Sequence, residues 1–222
     1  MRRGIFYLLV LLAAGFSRAE GTTLPKRQEV LGQARHMLDN WSISYVMGGN
    51  KLGDVRECEA CNQCLGAKKP DKDSRLRACP TCASCSLDCS HFIHEVFKLA
   101  GLPATYLTTA LMNNLGADAL LKKYALVDVG NRSQRALPGD LLVYDGHVVM
   151  LEKKHPKGLG DIIHVTSGRD LRGPGLGIQR ERRVAIDHYR GPLLRVLRHV
   201  DLVRELRDFT LSRSRLSDAK TE

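Results

Sequence analysis

Aromatic side chains are scarce in this chain, at 5% of 222 residues, and there is a single Trp. Glycine and proline, 20 and 8 residues, are too few for a collagenous or low-complexity chain. A membrane helix needs ~20 apolar residues, and the longest apolar run, Ile5 to Phe16, has twelve. No internal repeat is visible beyond two cysteine triplets. Full disorder is excluded because hydrophobic residues (43%) and charged residues (26%) are both at ordinary levels. One globular domain, or a large domain with an appendage, is what such a length and composition build.

The short apolar run follows Met1-Arg2-Arg3 and ends in Ser17-Arg18-Ala19, small residues three and one before Glu20. That pattern predicts a cleavable signal peptide over residues 1–19 and an exported mature chain, periplasmic or extracellular, with no membrane span. Arg2-Arg3 is also a partial twin-arginine match, so Sec and Tat export both stay open. Without its three arginines the formal charge falls from +10 to +7. A basic exported protein meets anionic envelope polymers first; the charge alone does not distinguish these from nucleic acid, and the expectation is a solvated basic surface with no nucleic-acid partner. The stretch 180–222 holds eleven Lys and Arg against seven Asp and Glu, and residues 201–222 read as a terminal helix or charged tail.

From Lys26 to Trp41, Val30, Leu31, Ala34, Met37, Leu38 and Trp41 recur at helical spacing and predict a first helix. A short β-prone piece, Ser42 to Met47, ends in the turn Gly48-Gly49-Asn50. Residues 50–86 carry six cysteines and almost no large apolar side chains, so cross-links or a metal must order them. Cys89 to Ala100 is apolar around most of a helical circumference and is stopped by Gly101 and Pro103, with Asp88 or Ser86 placed to cap it. Residues 104–124 read as helical and peripheral. Strand-like runs follow at 125–129, 140–144, 147–152 and 161–166, with Asp145-Gly146 as a hairpin signal. Val184 to Ile186 adds a short strand, and Leu193 to Val200 fits a strand or a helix start. Helices first and a meander afterwards predict an α+β fold with an antiparallel sheet on a domain spanning residues 20–200.

Seven cysteines divide as six plus one. Cys89 opens the buried helix, where unpaired N–H groups favour a thiolate, which makes it a candidate nucleophile. A cysteine nucleophile needs a base, and the base needs an orienting group. His147, after the Asp145-Gly146 turn, and His164, within Ile162-Ile163-His164-Val165, supply both if their strands are antiparallel neighbours.

Four ordered motifs carry a resemblance. Tyr45-Val46-Met47-Gly48-Gly49, then Asp88-Cys89-Ser90, then Leu137-Pro138-Gly139-Asp140-Leu141-Leu142-Val143-Tyr144 leading to His147-Val148, then Ile163-His164 resemble the NlpC/P60 cysteine peptidases over about residues 27–200. The resemblance implies a papain-like α+β fold with the nucleophile at a helix N-terminus packed on an antiparallel sheet. It implies cleavage of peptidoglycan stem peptides, typically at the γ-D-glutamyl to diamino-acid bond, with no cofactor required for catalysis. By motif, Cys89 is the nucleophile, His147 the general base and acid, and His164 the orienting residue. Tyr45 matches a tyrosine that polarises the scissile carbonyl or positions substrate. Asp88 and Ser90 match residues that in some relatives recognise the free amine of a stem peptide. Three features depart from the family pattern: His91 where glycine is common, Met47 where tryptophan is common, and the 39 residues between Gly49 and Cys89.

For the other six cysteines three readings stay open. An exported chain with an even number of them favours three disulfides among Cys58, Cys61, Cys64, Cys79, Cys82 and Cys85, with 15 possible pairings. Cys61, Cys64, Cys79 and Cys82 have nearly zinc-ribbon spacing. Cys79, Cys82, Cys85 and Cys89 have bacterial ferredoxin spacing, with Ser90 in place of the usual proline, and an iron–sulfur cluster there would claim the nucleophile. The rival functional readings are a non-catalytic metal-binding or redox module and an amidase toxin aimed at a competitor's wall.

Overall fold

The computed structural model describes residues 25–67, 75–167 and 177–218. The expected signal peptide, residues 1–19, lies outside them. Helix α1 (Pro25–Asn40) starts on proline, whose fixed φ suits a first helical turn, and buries Val30, Leu31, Ala34 and Met37, the face that the spacing predicts. Strand β1 (Asn50–Lys51) opens the cysteine-rich segment and α2 (Val55–Ala67) follows. Asp54 and Glu57 cap α2 reciprocally: Glu57 N donates to Asp54 Oδ1 and Asp54 N to Glu57 Oε2, both at 2.9 Å. After α3 (Arg75–Ala78) and a single 3-10 turn, Pro80–Ala83, strand β2 (Ser86–Leu87) pairs antiparallel with β1.

The six cysteines form three nested disulfides, Cys58–Cys85, Cys61–Cys82 and Cys64–Cys79. Their spacing of three along α2 presents one triplet to the other, which runs in the opposite direction. Apart from the sulfurs, the segment's apolar cluster holds little more than Val46 and Leu65. Covalent bonds therefore do here what a core does elsewhere.

Helix α4 (Cys89–Leu99) is capped by Asp88, whose carboxylate accepts from His91 N at 2.9 Å. Ser86, the other candidate cap, lies in β2 and donates to Cys82 O. The expected helical span 104–124 is two short helices, α5 (Thr109–Asn114) and α6 (Ala117–Tyr124). Thr108, itself extended, caps α5, so 104–108 lies outside the helix, and Leu115 is already extended where α5 ends.

The sheet comprises β3 (Leu126–Gly130), β4 (Leu141–Tyr144), β5 (His147–Lys154), β6 (Leu159–Thr166), β7 (Gly177–Ala185) and β8 (Arg195–His199), ordered β3-β8-β4-β5-β6-β7. Every pairing is antiparallel. The β4–β5 connection is the two-residue Asp145-Gly146 turn, and Gly146 takes φ 67°, which glycine adopts without strain. β7 runs well beyond the expected Val184–Ile186, because Arg180, Glu181, Arg182 and Arg183 hide its alternation; charged residues suit an edge strand. Both readings of 193–200 are realised in part, since β8 passes directly into α7 (Val200–Asp218).

Alternation along the strands sends Leu141, Val143, Val148, Met150, Ile163 and Val165 toward α1 and α4, where Phe92, Ile93 and Val96 meet them. Leu142, Tyr144, Val149, Leu151 and Ile162 form a second cluster with Ala136, Ile186 and Leu193 from connecting loops. The architecture is α+β, with helices and an antiparallel sheet. α7 begins inside the core, since Leu202 is fully buried there. Among the described residues, no helix is long and apolar enough to cross a membrane.

Candidate functional site

Cys89, left unpaired by the disulfides, is the first residue of α4. The strand leading to it is braced on one side by 44–49: Leu87 N donates to Ser44 O and Val46 N to Leu87 O, both at 3.2 Å, and Asp88 N donates to Gly49 O at 2.9 Å. A Cβ on Gly49 would stand 2.6 Å from Ser86 Oγ and 2.9 Å from Leu87 N, so only glycine permits this approach. On the other side Cys85, four residues before Cys89, is tied to α2 through Cys58.

The Cys89 thiol is 7% exposed, and Thr109 Oγ1 lies 3.7 Å from Sγ. Burial pushes the thiol above its ordinary pKa and the Asp88 charge adds to this; the Val148 and Ser90 backbone N–H groups and Thr109 pull the other way. The N–H groups at the helix start thus act in the direction that the sequence suggests, but desolvation works against the thiolate and outweighs them. The Val148 amide that faces the sulfur belongs to the residue after His147, which places the start of β5 against the start of α4.

His147 Nε2 and His164 Nδ1 are 2.7 Å apart, with ring planes at 74°. The two strands are antiparallel neighbours, as the proposed pairing of imidazoles requires. Burial lowers the pKa of His147, and His164 and Arg190 lower it further against a raising effect from Glu181. Burial likewise lowers His164, opposed by Glu181. Beyond this pair, His164 Nε2 lies 3.0 Å from Glu181 Oε1 on β7, too oblique for a well-aligned hydrogen bond, and it has no hydrogen-bond partner among the described residues. Tyr189 Oη donates to the same Glu181 oxygen. The His164 contact holds the Glu181 carboxyl well below the usual carboxylate range.

Asp88 and Ser90 flank the thiol but are already engaged. Ser90 Oγ donates to Asp88 Oδ1 at 2.8 Å and lies 3.1 Å from Tyr106 Oη. His91, the residue in place of glycine, stacks on Tyr106 with centroids 3.9 Å apart. Tyr45 bridges Leu87 in parallel, two residues before Cys89, while its hydroxyl contacts Met47 Sδ at 3.7 Å. Tyr45 is thus brought to the site's border by its backbone, with its phenol on the side of exposed Met47.

Glu181, Tyr189, Tyr106 and Thr109 do not emerge from the sequence as site residues. Glu181 sits in a run of arginines, and only the β6–β7 register, Ile162 opposite Glu181 and His164 opposite Gln179, puts it on the His164 face. Cys61, Cys64, Cys79 and Cys82, the zinc-ribbon candidates, occupy two of the disulfides. Cys79, Cys82 and Cys85 of the iron–sulfur spacing are also disulfide-bonded, apart from Cys89. Among the described residues no group of three or more His, Cys, Asp or Glu converges as a metal site would. Comparison of the chain with protein-family models, with curated proteins and with solved structures finds no match.

Proposed function

We propose that this chain is an exported cysteine hydrolase of the NlpC/P60 kind, with a papain-like arrangement, that cleaves peptidoglycan stem peptides at the γ-D-glutamyl to diamino-acid bond. The observation that carries the reading is the meeting of a lone free thiol at a helix start with the Val148 amide, next in sequence to an imidazole paired at 2.7 Å with a second imidazole. The three disulfides and the signal-like N-terminus support export to an oxidising compartment. No cofactor enters the proposed chemistry.

Because His147 Nε2 is engaged by His164, Nδ1 is the nitrogen left for proton transfer. Nδ1 takes the Cys89 proton as sulfur attacks the amide carbonyl, and the resulting N–H then protonates the departing amine. Water releases the thioester with the same nitrogen as base, giving a carboxylate and the restored thiol. Two neutral partners at rest suit this order: substrate binding dries the corner further and the proton moves as the sulfur attacks. Asp88, Ser90 and Tyr106 form a polar wall beside the sulfur, suited to a stem peptide's free amine. Tyr45 is assigned to substrate positioning at the border of the site.

The test is release of stem-peptide fragments from purified sacculi by the mature protein and by Cys89→Ala. Fragment release that requires Cys89 supports the proposal; wild-type release by Cys89→Ala contradicts it.

A further inference from the structure

The structure assigns Glu181 as a positioning residue that fixes the tautomers of His164 and His147, placing the base lone pair on His147 Nδ1. This rests on the hydrolase reading of Cys89 and His147 and extends it to residues on β7 and the loop after it.

An ionised carboxylate only accepts hydrogen bonds. Glu181 Oε1 lies 3.0 Å from His164 Nε2, a buried nitrogen that makes no well-aligned hydrogen bond among the described residues, so this carboxylate is the acceptor at hand and the single proton of a neutral His164 belongs on Nε2. His164 Nδ1 is then an acceptor. Across the 2.7 Å contact the proton must therefore sit on His147 Nε2, and His147 Nδ1 carries the lone pair. Were Glu181 an amide, its NH₂ could face His164 equally well. Both rings would then be free to invert, and His147 would hold its proton on the nitrogen that must accept one.

Tyr189 makes the carboxylate single-minded. Its hydroxyl donates to Glu181 Oε1, the oxygen that also faces His164, and its ring stands against His164 with centroids 5.9 Å apart. Arg190 lies over the Tyr189 ring and donates to Thr166 Oγ1 at 3.0 Å, which anchors the 186–191 loop to β6. The charged and titratable groups that act on the imidazole pair are thus Glu181, Tyr189 and Arg190. When His147 becomes an imidazolium, Glu181 is the negative charge nearest to its partner ring.

Nitrogen-15 correlation spectra of the mature protein read the tautomers directly, without substrate, so the result stands apart from whether sacculi are cut. Both His147 and His164 are expected as Nε2–H forms in the wild type. Glu181→Gln should introduce Nδ1–H forms and slow iodoacetamide labelling of Cys89 near neutral pH about tenfold, one unit in apparent pKa, whereas Glu181→Asp should retain the wild-type tautomers. An Nδ1–H form on either ring of the wild type overturns the assignment. So does a Glu181→Gln protein whose tautomers and labelling-versus-pH profile match the wild type. The wild-type spectrum decides the matter even if Glu181→Gln fails to fold.

Discussion

Cys58 and Cys85 are bonded with their Cα atoms 4.8 Å apart, which ties the first turn of α2 to the residue before β2 and only four residues before Cys89. Of the three nested bonds it spans the widest loop, 27 residues, and it reaches the main core, where Cys58 and Cys85 pack with Leu87 and Cys89. The cysteine-rich segment is thereby part of the support for the thiol.

The first expectation follows from that link. The Cys58→Ser/Cys85→Ser protein should lose peptide hydrolysis more than Cys64→Ser/Cys79→Ser, because the inner bond closes only the far end of the segment. Each loss should cost about 2–5 kcal/mol of stability at most. Hydrolysis rates and thermal unfolding of the two proteins check this; equal activity in both would contradict it.

Mild reduction should open residues 50–86 to protease while the sheet and α4 persist, since the rest of the molecule is held by its own apolar clusters. Limited proteolysis with fragment masses reads the outcome. Cleavage spread evenly over the chain would count against a segment ordered by its cross-links.

Without reductant, one thiol per molecule should react with iodoacetamide, and it should be Cys89. Its pKa is raised, so the thiolate fraction is small at neutral pH and labelling should accelerate as pH rises past the ordinary thiol range of about 8.5. A rate that is already level below pH ~7 would instead indicate a resting ion pair with His147.

Acid should weaken the fold in two windows. His147, His164 and His199 have lowered folded-state pKa values, chiefly from burial. Below about pH 6.5 the unfolded chain therefore binds protons that the folded chain refuses, and stability falls as pH drops. Glu181, Glu152 and Asp161 are held below their ordinary values, so their contribution is present above about pH 4 and fades only at lower pH. Thermal unfolding from about pH 7.5 to 3 should show decline beginning in the histidine window. A flat midpoint between about pH 7 and 5 would contradict the burial of neutral imidazoles.

Much of this site is legible in the sequence because its parts are local. A thiol before an amphipathic helix, an Asp-Gly turn before His147 and an apolar frame around His164 each announce themselves within a few residues. The partners supplied by distant elements do not. Glu181 looks like one more charge on an edge strand until the register with β6 is known, and the extra residue at the β6–β7 bulge near Gly160 leaves no periodic trace. Tyr189 and Thr109 lie in a loop and a short helix whose docking is decided by tertiary contacts. The cysteine pairing is equally non-local: nesting requires the second triplet to run back along α2, one of the 15 pairings that spacing leaves open. The thiol's raised pKa was illegible because the sequence displays the helix start but not the depth of burial.

The central claim is that Cys89 is the nucleophile of a wall-peptide hydrolase, and labelling of newly exposed amino groups in digested sacculi tests it most directly. The mature protein should expose the amine of the diamino acid, His147→Ala and Cys89→Ala should each expose several orders of magnitude less, and His164→Ala should fall between. New reducing sugar ends without new amines, or equal amine release by Cys89→Ala and the wild type, would contradict it.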